Sequence, residues 1–332
     1  MGRTVVVGDI HGCFDELIEL LDAVRLRPDD LLVSVGDLVD RGPKPGEVIR
    51  FFRERPNSVV VMGNHERKHV RGVYSYAQEI TRLQLGDGYA GAVEWMATLP
   101  YFFENDDVRV VHAAMLSGTP LAAQREEILC GSTSGEKALA GLFPEGHWHE
   151  HYTDAKPVVF GHHVTGREPL LRDGRVFGLD TGACHGWNLT ALCVPDLTVH
   201  SVPAHADHWS ATRRVWQLPV LRSRPWRDWT WPEIDAAVAR FSASPDAGDW
   251  LRAVAAWAGD LRSALPAIVA AARDLAGRLT AEQLRAHPAG QVLFQARAGR
   301  LDEITLARRC STPRRTADLA AALGLEVPDL PA

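Results

Sequence analysis

Apolar residues in the first two hundred positions gather into short β-branched runs separated by amphipathic stretches. Thr4–Val7, Leu31–Val35 and Ser58–Met62 have the pattern of strands buried on both faces. Phe14–Val24 and Pro45–Arg55 carry apolar residues at helical spacing and are predicted as the helices between them. Val108–Val111, Pro157–Phe160, Arg175–Gly178, Leu189–Val194 and Thr198–Val202 are further predicted strands. Strand–helix alternation followed by strand-rich sequence predicts an α/β core of two sheets packed between helices. Residues 115–156 are polar, rich in Gly and Glu and poorly periodic, and are predicted to be an inserted helical cap. Beyond them the pattern becomes helical throughout. Ile234–Phe241, Trp250–Trp257, Leu261–Leu279 and Ala281–Ala286 have helical spacing, and Thr312–Leu323 opens on Thr-Pro and stops before Gly324.

Composition sharpens the division. The 332 residues are 46% hydrophobic and 23% charged, with net charge −6, as in a globular protein. From His205 onward there are 17 arginines, no lysine and 14 acidic residues, giving +3 there and −9 for the rest. Seven of the ten tryptophans also lie in that section. The expected organisation is therefore a core over 1–204, including the cap at 115–156, and an all-helical Trp/Arg-rich module over 205–332. Trp226, Trp229 and Trp231 are expected to anchor that module against the core. Its one local basic cluster is Arg308, Arg309, Arg314 and Arg315, and Leu301–Leu323 faintly resembles a helix-turn-helix. A charge of +3 is weak for a nucleic-acid binder, so the module's partner is left as protein or nucleic acid. Five cysteines without CxxC spacing read as reduced thiols. The first strand starts at once, leaving no room for a signal peptide, and no apolar run approaches the roughly eighteen residues of a membrane span. A cytoplasmic protein without a membrane partner is expected.

The chemistry sits where strands end. Gly8-Asp9-Ile10-His11-Gly12 follows the first strand, Gly36-Asp37-Leu38-Val39-Asp40-Arg41-Gly42 the second and Gly63-Asn64-His65-Glu66 the third. His112 follows Val108–Val111, and Gly161-His162-His163 follows Pro157–Phe160. Groups at the carboxyl ends of strands converge on one edge of an α/β sheet. Asp, His and Asn offer hard oxygens and borderline nitrogen, which suits two divalent ions, Mn²⁺ first with Fe or Zn²⁺ as alternatives. Asp37 is the candidate bridge: Asp9, His11 and Asp37 would hold one ion, and Asp37, Asn64, His112 and His162 the other. A water between them would be the nucleophile for phosphorus. Arg41 can grip two phosphoryl oxygens at once. His65 can protonate the leaving oxygen if Asp40 orients it. Of the pair His162/His163, only one need be a ligand, and His162 is favoured because it directly follows glycine.

Taken together, GDxHG, GDxxDRG, GNHE and the two later histidines resemble the calcineurin-like metallophosphoesterases. They are closest to the phosphoprotein phosphatase branch with its bacterial diadenosine-tetraphosphatase and polynucleotide-phosphatase relatives. The resemblance covers roughly residues 1–202. It implies a four-layer α/β/β/α sandwich, a dimetal phosphatase, and the roles given above for Asp9, His11, Asp37, Asp40, Arg41, Asn64, His65, His112 and His162. Gly178-Leu-Asp-Thr-Gly182 with Leu189-Thr-Ala-Leu192 resembles the closing strands of the bacterial members. Two positions depart from the family: Ala114 stands for a usual glycine, and His185-Gly186-Trp187 for paired glycines. Arg67, His163 and His185 are the substrate-facing candidates; Arg67, Lys68 and Arg71 read first as a solvated helix face and second as a site for another phosphate or the substrate body. His147, His149 and His151 suggest either a third metal site or a surface loop.

The expected reaction is hydrolysis of phosphate monoesters by direct attack of hydroxide, as in phosphoprotein phosphatases, on a phosphorylated protein, nucleotide or RNA end. The alternative is a nucleotidic phosphoesterase acting on diadenosine polyphosphates or on terminal or cyclic RNA phosphates. A phosphate-recognising binding module is the reading from another class. The set His65, Asp40 and Arg41 argues against it, because a reader needs no proton donor.

Overall fold

The computed structural model describes residues 2–241 and 247–332, which form two compact units, Met1–Trp216 and Gln217–Ala332. The first unit holds ten strands: β1 (Thr4–Val7), β2 (Leu31–Ser34), β3 (Ser58–Val60), β4 (Phe102–Glu104), β5 (Arg109–Val111), β6 (Val158–Phe160), β7 (Leu170–Arg172), β8 (Val176–Gly178), β9 (Asn188–Val194) and β10 (Thr198–Pro203). They form two five-stranded sheets, ordered β10-β9-β1-β2-β3 and β4-β5-β6-β8-β7. β1, β2 and β3 run parallel, as do β5, β6 and β8; the remaining strands pair antiparallel at the flanks.

Alternation of side chains builds the layers. Val5 and Val7 point into one cluster with Leu17, Leu20 and Leu21 of α1 (Phe14–Ala23) and Val48, Ile49 and Phe52 of α2 (Pro45–Glu54). Val6, between them, points the other way and meets Val110, Val159 and Phe177 of the second sheet. That sheet's outer residues Val111, Val158, Phe160 and Val176 pack under Ile128, Leu129 and Leu139. The strands are thus covered on both faces, which is why they read as continuous apolar runs rather than alternating ones. The result is helix, sheet, sheet, helix. Three helices follow β3, α3 (Asn64–Val70), α4 (Tyr76–Leu85) and α5 (Tyr89–Met96). The insert at 115–156 holds α6 (Glu126–Leu129) and α7 (Thr133–Leu142), with irregular chain between and after them.

The predicted boundary between 204 and 205 lies just ahead of α8 (His208–Arg222), and the division into compact units falls inside that helix. Within the first unit, the buried carboxylate of Glu16 on α1 takes a hydrogen bond from His208 Nε2 at 2.6 Å and from the His205 backbone N–H at 2.9 Å. Burial opposes its ionisation, but these donors hold its pKa at about 2. A depressed carboxylate pKa stabilises the fold above the ordinary 4.5, and this contribution is lost as pH falls toward 2. Glu16→Gln should therefore cost about 1–3 kcal/mol at neutral pH. Thermal unfolding followed across acid pH should show wild type and variant converging on acidification; a gap that widens instead would refute the linkage.

In the second unit the helices are α9 (Trp231–Phe241), α10 (Gly248–Ser263), α11 (Leu265–Arg278), α12 (Ala281–Ala286), α13 (Gly290–Arg297), α14 (Glu303–Arg309) and α15 (Pro313–Ala322). The stretch Leu261–Leu279, predicted as one helix, is divided at Ala264. Pro266 explains the division: it sits in the first turn of α11, where its missing N–H has no intrahelical partner to lose. The tryptophans fill the unit's own core. Trp226 is fully buried and packs with Ile234, Trp250, Leu251, Val254 and Trp257, donating its indole N–H to the Leu221 carbonyl. Arg314 of the basic cluster is paired with Asp228, and Arg309 with Gln291. Among the described residues no helix is long and apolar enough to cross a membrane.

Candidate metal centre and phosphate site

The turns after β1, β2, β3, β5 and β6 bring Asp9, His11, Asp37, Asp40, Arg41, Asn64, His65, His112 and His162 together at one edge of the paired sheets. Their backbone is unusual. His11, Asp37, Asp40, Arg41 and His162 are five of the eight described non-glycine residues with positive φ. Such conformations are unfavourable for L-residues and persist where the surroundings enforce them, typically at functional sites. Gly161 serves close approach: a Cβ there would collide with the Asp9 carboxylate, and the next N–H, of His162, donates to Asp9 at 3.1–3.2 Å.

Two clusters of converging donors share one residue. His11, Asp37 and His65 form the first, and Asp9, Asp37 and His112 the second. Asp37 Oδ2 lies 3.6 Å from His11 Nε2, whereas Oδ1 lies 3.4 Å from His112 Nε2. The two oxygens of one carboxylate thus face opposite halves of the site. Backbone carbonyls fix the imidazoles: His11 Nδ1 donates to Val39 at 2.8 Å and His112 Nδ1 to Val35 at 2.9 Å. Each Nε2 is left with its lone pair pointing inward, ready to ligate. Asn64 Oδ1 lies 3.1 Å from both His112 Nε2 and His162 Nδ1. His162 therefore faces the centre, whereas the His163 side chain is 44% exposed.

Beside this donor set stands a cationic and acid–base pair. Arg41 reaches His11 Nε2 with Nη1 at 3.0 Å and His65 Nε2 with Nη2 at 3.2 Å. His65 Nδ1 donates to Asp40 Oδ2 at 2.5 Å. Asp40 is fully buried and also accepts from His69 Nε2 at 2.9 Å and from the Gln78 amide. His69 in turn meets the Tyr89 hydroxyl through Nδ1 at 2.9 Å. The histidine is consequently held in one tautomer by a carboxylate that is itself held from two further sides.

The electrostatics test whether cations fit. Asp9, Asp37 and Asp180 are buried carboxylates crowded together. Burial, followed by Asp180 and then Asp37, pushes Asp9 well above the carboxylate range. Burial likewise lifts Asp180 to about 6. Burial disfavours ionised Asp37 too, but the fields of His112, His65 and His11 overcome it and hold its pKa low. Burial lowers His112 to about 4, so at neutral pH it is neutral, the form in which an imidazole can ligate a cation. Three carboxylates, neutral imidazoles and an amide oxygen around a shared bridging group form a donor set that two divalent cations satisfy.

Sequence reading did not assign Asp180, although its position just after β8 matches that of Asp9 and Asp37 after their strands. Nor did it assign Glu66, whose carboxylate accepts the N–H groups of Asp37, Leu38 and Val39 at 2.8–3.3 Å and of Gly63 at 3.1 Å, pinning two of the loops. Burial, then the Asp37 charge, raises it to about 8 against those donors. Glu136 of the cap was also missed; it lies 3.2 Å from His162 Nε2. His185 is half-buried in the turn Ala183–His185, where burial and then Arg41 lower its pKa. Trp187 stands nearby with the Arg167 guanidinium 5.9 Å from its ring centre. Ala114 is buried under the cap with Met115 and Ile128. His147, His149 and His151 do not form a donor cluster among the described residues; the first two stack on each other and His151 stacks on Phe143.

Comparison with known proteins agrees with this geometry. The chain is 29% identical over 230 residues to an asymmetrical bis(5'-nucleosyl)-tetraphosphatase of Halalkalibacterium halodurans, covering 60% of this chain and 93% of that protein. It is 28% identical over 271 residues to a symmetrical bis(5'-nucleosyl)-tetraphosphatase of Erwinia tasmaniensis, covering 61% of this chain and 98% of the relative. Among solved structures it resembles a provisionally assigned diadenosine tetraphosphatase, at 27% identity and a TM-score of 0.51 over 61% of this chain and 94% of the other. Residues 2–176, more than half of the chain, match the calcineurin-like phosphoesterase family model, and with the strand-end ligand turns in place the chain belongs to that family of hydrolases acting on phosphate esters.

Proposed function

We propose that the chain hydrolyses a phosphoanhydride or phosphoester bond in nucleotidic substrates, with dinucleoside polyphosphates as the first choice. The observation that carries this is the pair of relatives, one asymmetrical and one symmetrical tetraphosphatase, that align with the chain over 93% and 98% of their own lengths. They favour this reading over phosphoprotein monoesters, which the motifs alone had put first. Asp9, His11 and Asp37 would hold one divalent cation, and Asp37, Asn64, His112 and His162 the other, with Mn²⁺ suited to this oxygen and nitrogen set. When bound, such a pair supplies a water that ionises near neutral pH and positive charge opposite the phosphoryl oxygens.

The protein's own groups do the rest. Arg41 grips the phosphoryl oxygens as charge builds on them. Its guanidinium Nη2 donates to His65 Nε2 at 3.2 Å. Drawing Arg41 onto a phosphate frees that nitrogen to carry the proton for the leaving oxygen, while Asp40 keeps Nδ1–H fixed. Water attacks phosphorus, the bond to the leaving oxygen breaks, and that oxygen takes the proton from His65.

A substrate panel in Mn²⁺ tests the reading. Diadenosine tetraphosphate, a phosphopeptide, oligonucleotides ending in 3′- or 2′,3′-cyclic phosphate and p-nitrophenyl phosphate are compared by kcat/KM, with EDTA abolishing turnover. The dinucleotide should be preferred. Preference for the phosphopeptide, or no turnover with any divalent metal, would refute it.

A further inference from the structure

Asn64, Arg67, Lys68 and Arg71 fall at positions i, i+3, i+4 and i+7, on one face of α3 and its C-terminal cap. That face forms one wall of a cavity of about 460 Å³, a size ordinary for a small-molecule site. The other wall is the cap segment Gly131–Ser134 with Lys137 of α7. Four cationic side chains therefore line the groove, and no carboxylate is among its lining residues. Since Asn64 belongs to both the lining and the candidate metal centre, the groove opens on that centre.

Three features separate this from a solvated helix face. Arg67 is only 7% exposed, although arginine is rarely buried without a dedicated partner. Its ion pair with Glu127 is long, at 3.4 Å, it also shares a side-chain hydrogen bond with Tyr101, and its Nε has no hydrogen-bond partner among the described residues. Stacking Arg67 over Arg71 one helical turn apart is repulsive by itself and becomes favourable when an anion lies between. Lys137 comes from a different element altogether. Gly131 joins the walls: its φ of +63° and the closeness of the His162 ring leave no room for a side chain, so the cap backbone passes directly over the centre.

We infer that this groove is a subsite for the phosphate chain beyond the scissile phosphorus, taking polyphosphate carried by a nucleotide. From Asn64 to Arg71 the helix rises about 10 Å, enough for several linked phosphates. The inference rests on the nucleotidic reading above for the identity of its ligand, and it explains how a tetraphosphate would be told from a monoester. A monoester leaves the groove empty, whereas a polyphosphate adds contacts with up to four cations in a partly desolvated cleft.

Inorganic tripolyphosphate and orthophosphate are the probes. In calorimetry on the full-length, EDTA-treated protein, tripolyphosphate should bind and should bind at least about tenfold more weakly to an Arg71→Ala/Lys137→Ala variant, both sites being exposed. In p-nitrophenyl phosphate hydrolysis at fixed excess Mn²⁺, the advantage of tripolyphosphate over orthophosphate as inhibitor should shrink by a similar factor in the variant. Comparing proteins in one solution cancels metal chelation by the inhibitor. Equal inhibition constants for the two anions in wild type, or an advantage retained in full by the variant, would overturn the subsite. If diadenosine tetraphosphate is not turned over while the tripolyphosphate difference persists, the nucleotidic reading fails and the groove stands as a polyphosphate site.

Discussion

His65→Ala should lower kcat by roughly 10²- to 10⁴-fold for an alkyl phosphate, and by much less for p-nitrophenyl phosphate. The difference arises because a strongly basic leaving oxygen needs a proton in the transition state, whereas p-nitrophenolate leaves readily without one. A nucleotide leaving through its phosphate is also weakly basic, so diadenosine tetraphosphate should show the smaller effect. Asp40→Asn acts through His65, since the carboxylate accepts the Nδ1 proton at 2.5 Å. It should reproduce the leaving-group dependence in weaker form and move the basic limb of the pH–rate profile to lower pH, because without the carboxylate charge the imidazolium loses its proton more readily. Steady-state rates over a series of leaving groups make the check. Equal losses for all substrates would mean that His65 acts through charge or position and delivers no proton.

Asp37→Asn should have the other large effect, a loss in kcat/KM of about 10³-fold or more, equivalent to roughly 4 kcal/mol. Its carboxylate oxygens face His11 at 3.6 Å and His112 at 3.4 Å, on opposite sides of the site. An asparagine retains one oxygen and turns a donor toward the other side, where a cation would be repelled. Elemental analysis after equilibration with Mn²⁺ should fall from two ions per chain to one or none. Circular dichroism should report a folded protein, because the flanking loops remain pinned by Glu66. A variant that keeps both ions and most of its activity would remove Asp37 from the bridging role.

Much of this protein could be read from one chain. The core strands announced themselves because burial on both faces demands unbroken apolar runs, and β1, β2, β3 and β6 run out into a glycine beside an Asp, Asn or His. Local rules also placed Pro45 at the start of α2 and Thr312 as the cap of α15. Leu261–Leu279 reads as one helix from its apolar spacing, although Pro266 inside it is a local sign of a new first turn, and the chain breaks at Ala264. Reading continued to fail where a residue's meaning depends on something distant in sequence. Trp226 was read as an anchor, yet its surroundings are Trp250 and Trp257 of its own unit. Glu66 stands inside GNHE and Asp180 inside Gly178-Leu-Asp-Thr-Gly182, but spacing alone assigns neither a task, and Glu136 lies in no motif; each acquires its role by packing against Asp37, Asp9 or His162.

The same division runs through the site. Sequence determined the kinds of group at the strand ends, and hence the class of chemistry, because ligand identity and turn spacing are local. Tertiary structure decided which oxygen of Asp37 faces which imidazole, that His162 rather than His163 turns toward Asn64, and that Lys137 meets Arg67 and Arg71 across one groove. Those outcomes depend on the closure of two sheets and a cap around one edge, where side-chain direction is set by long-range packing and by backbone conformations that no short pattern encodes.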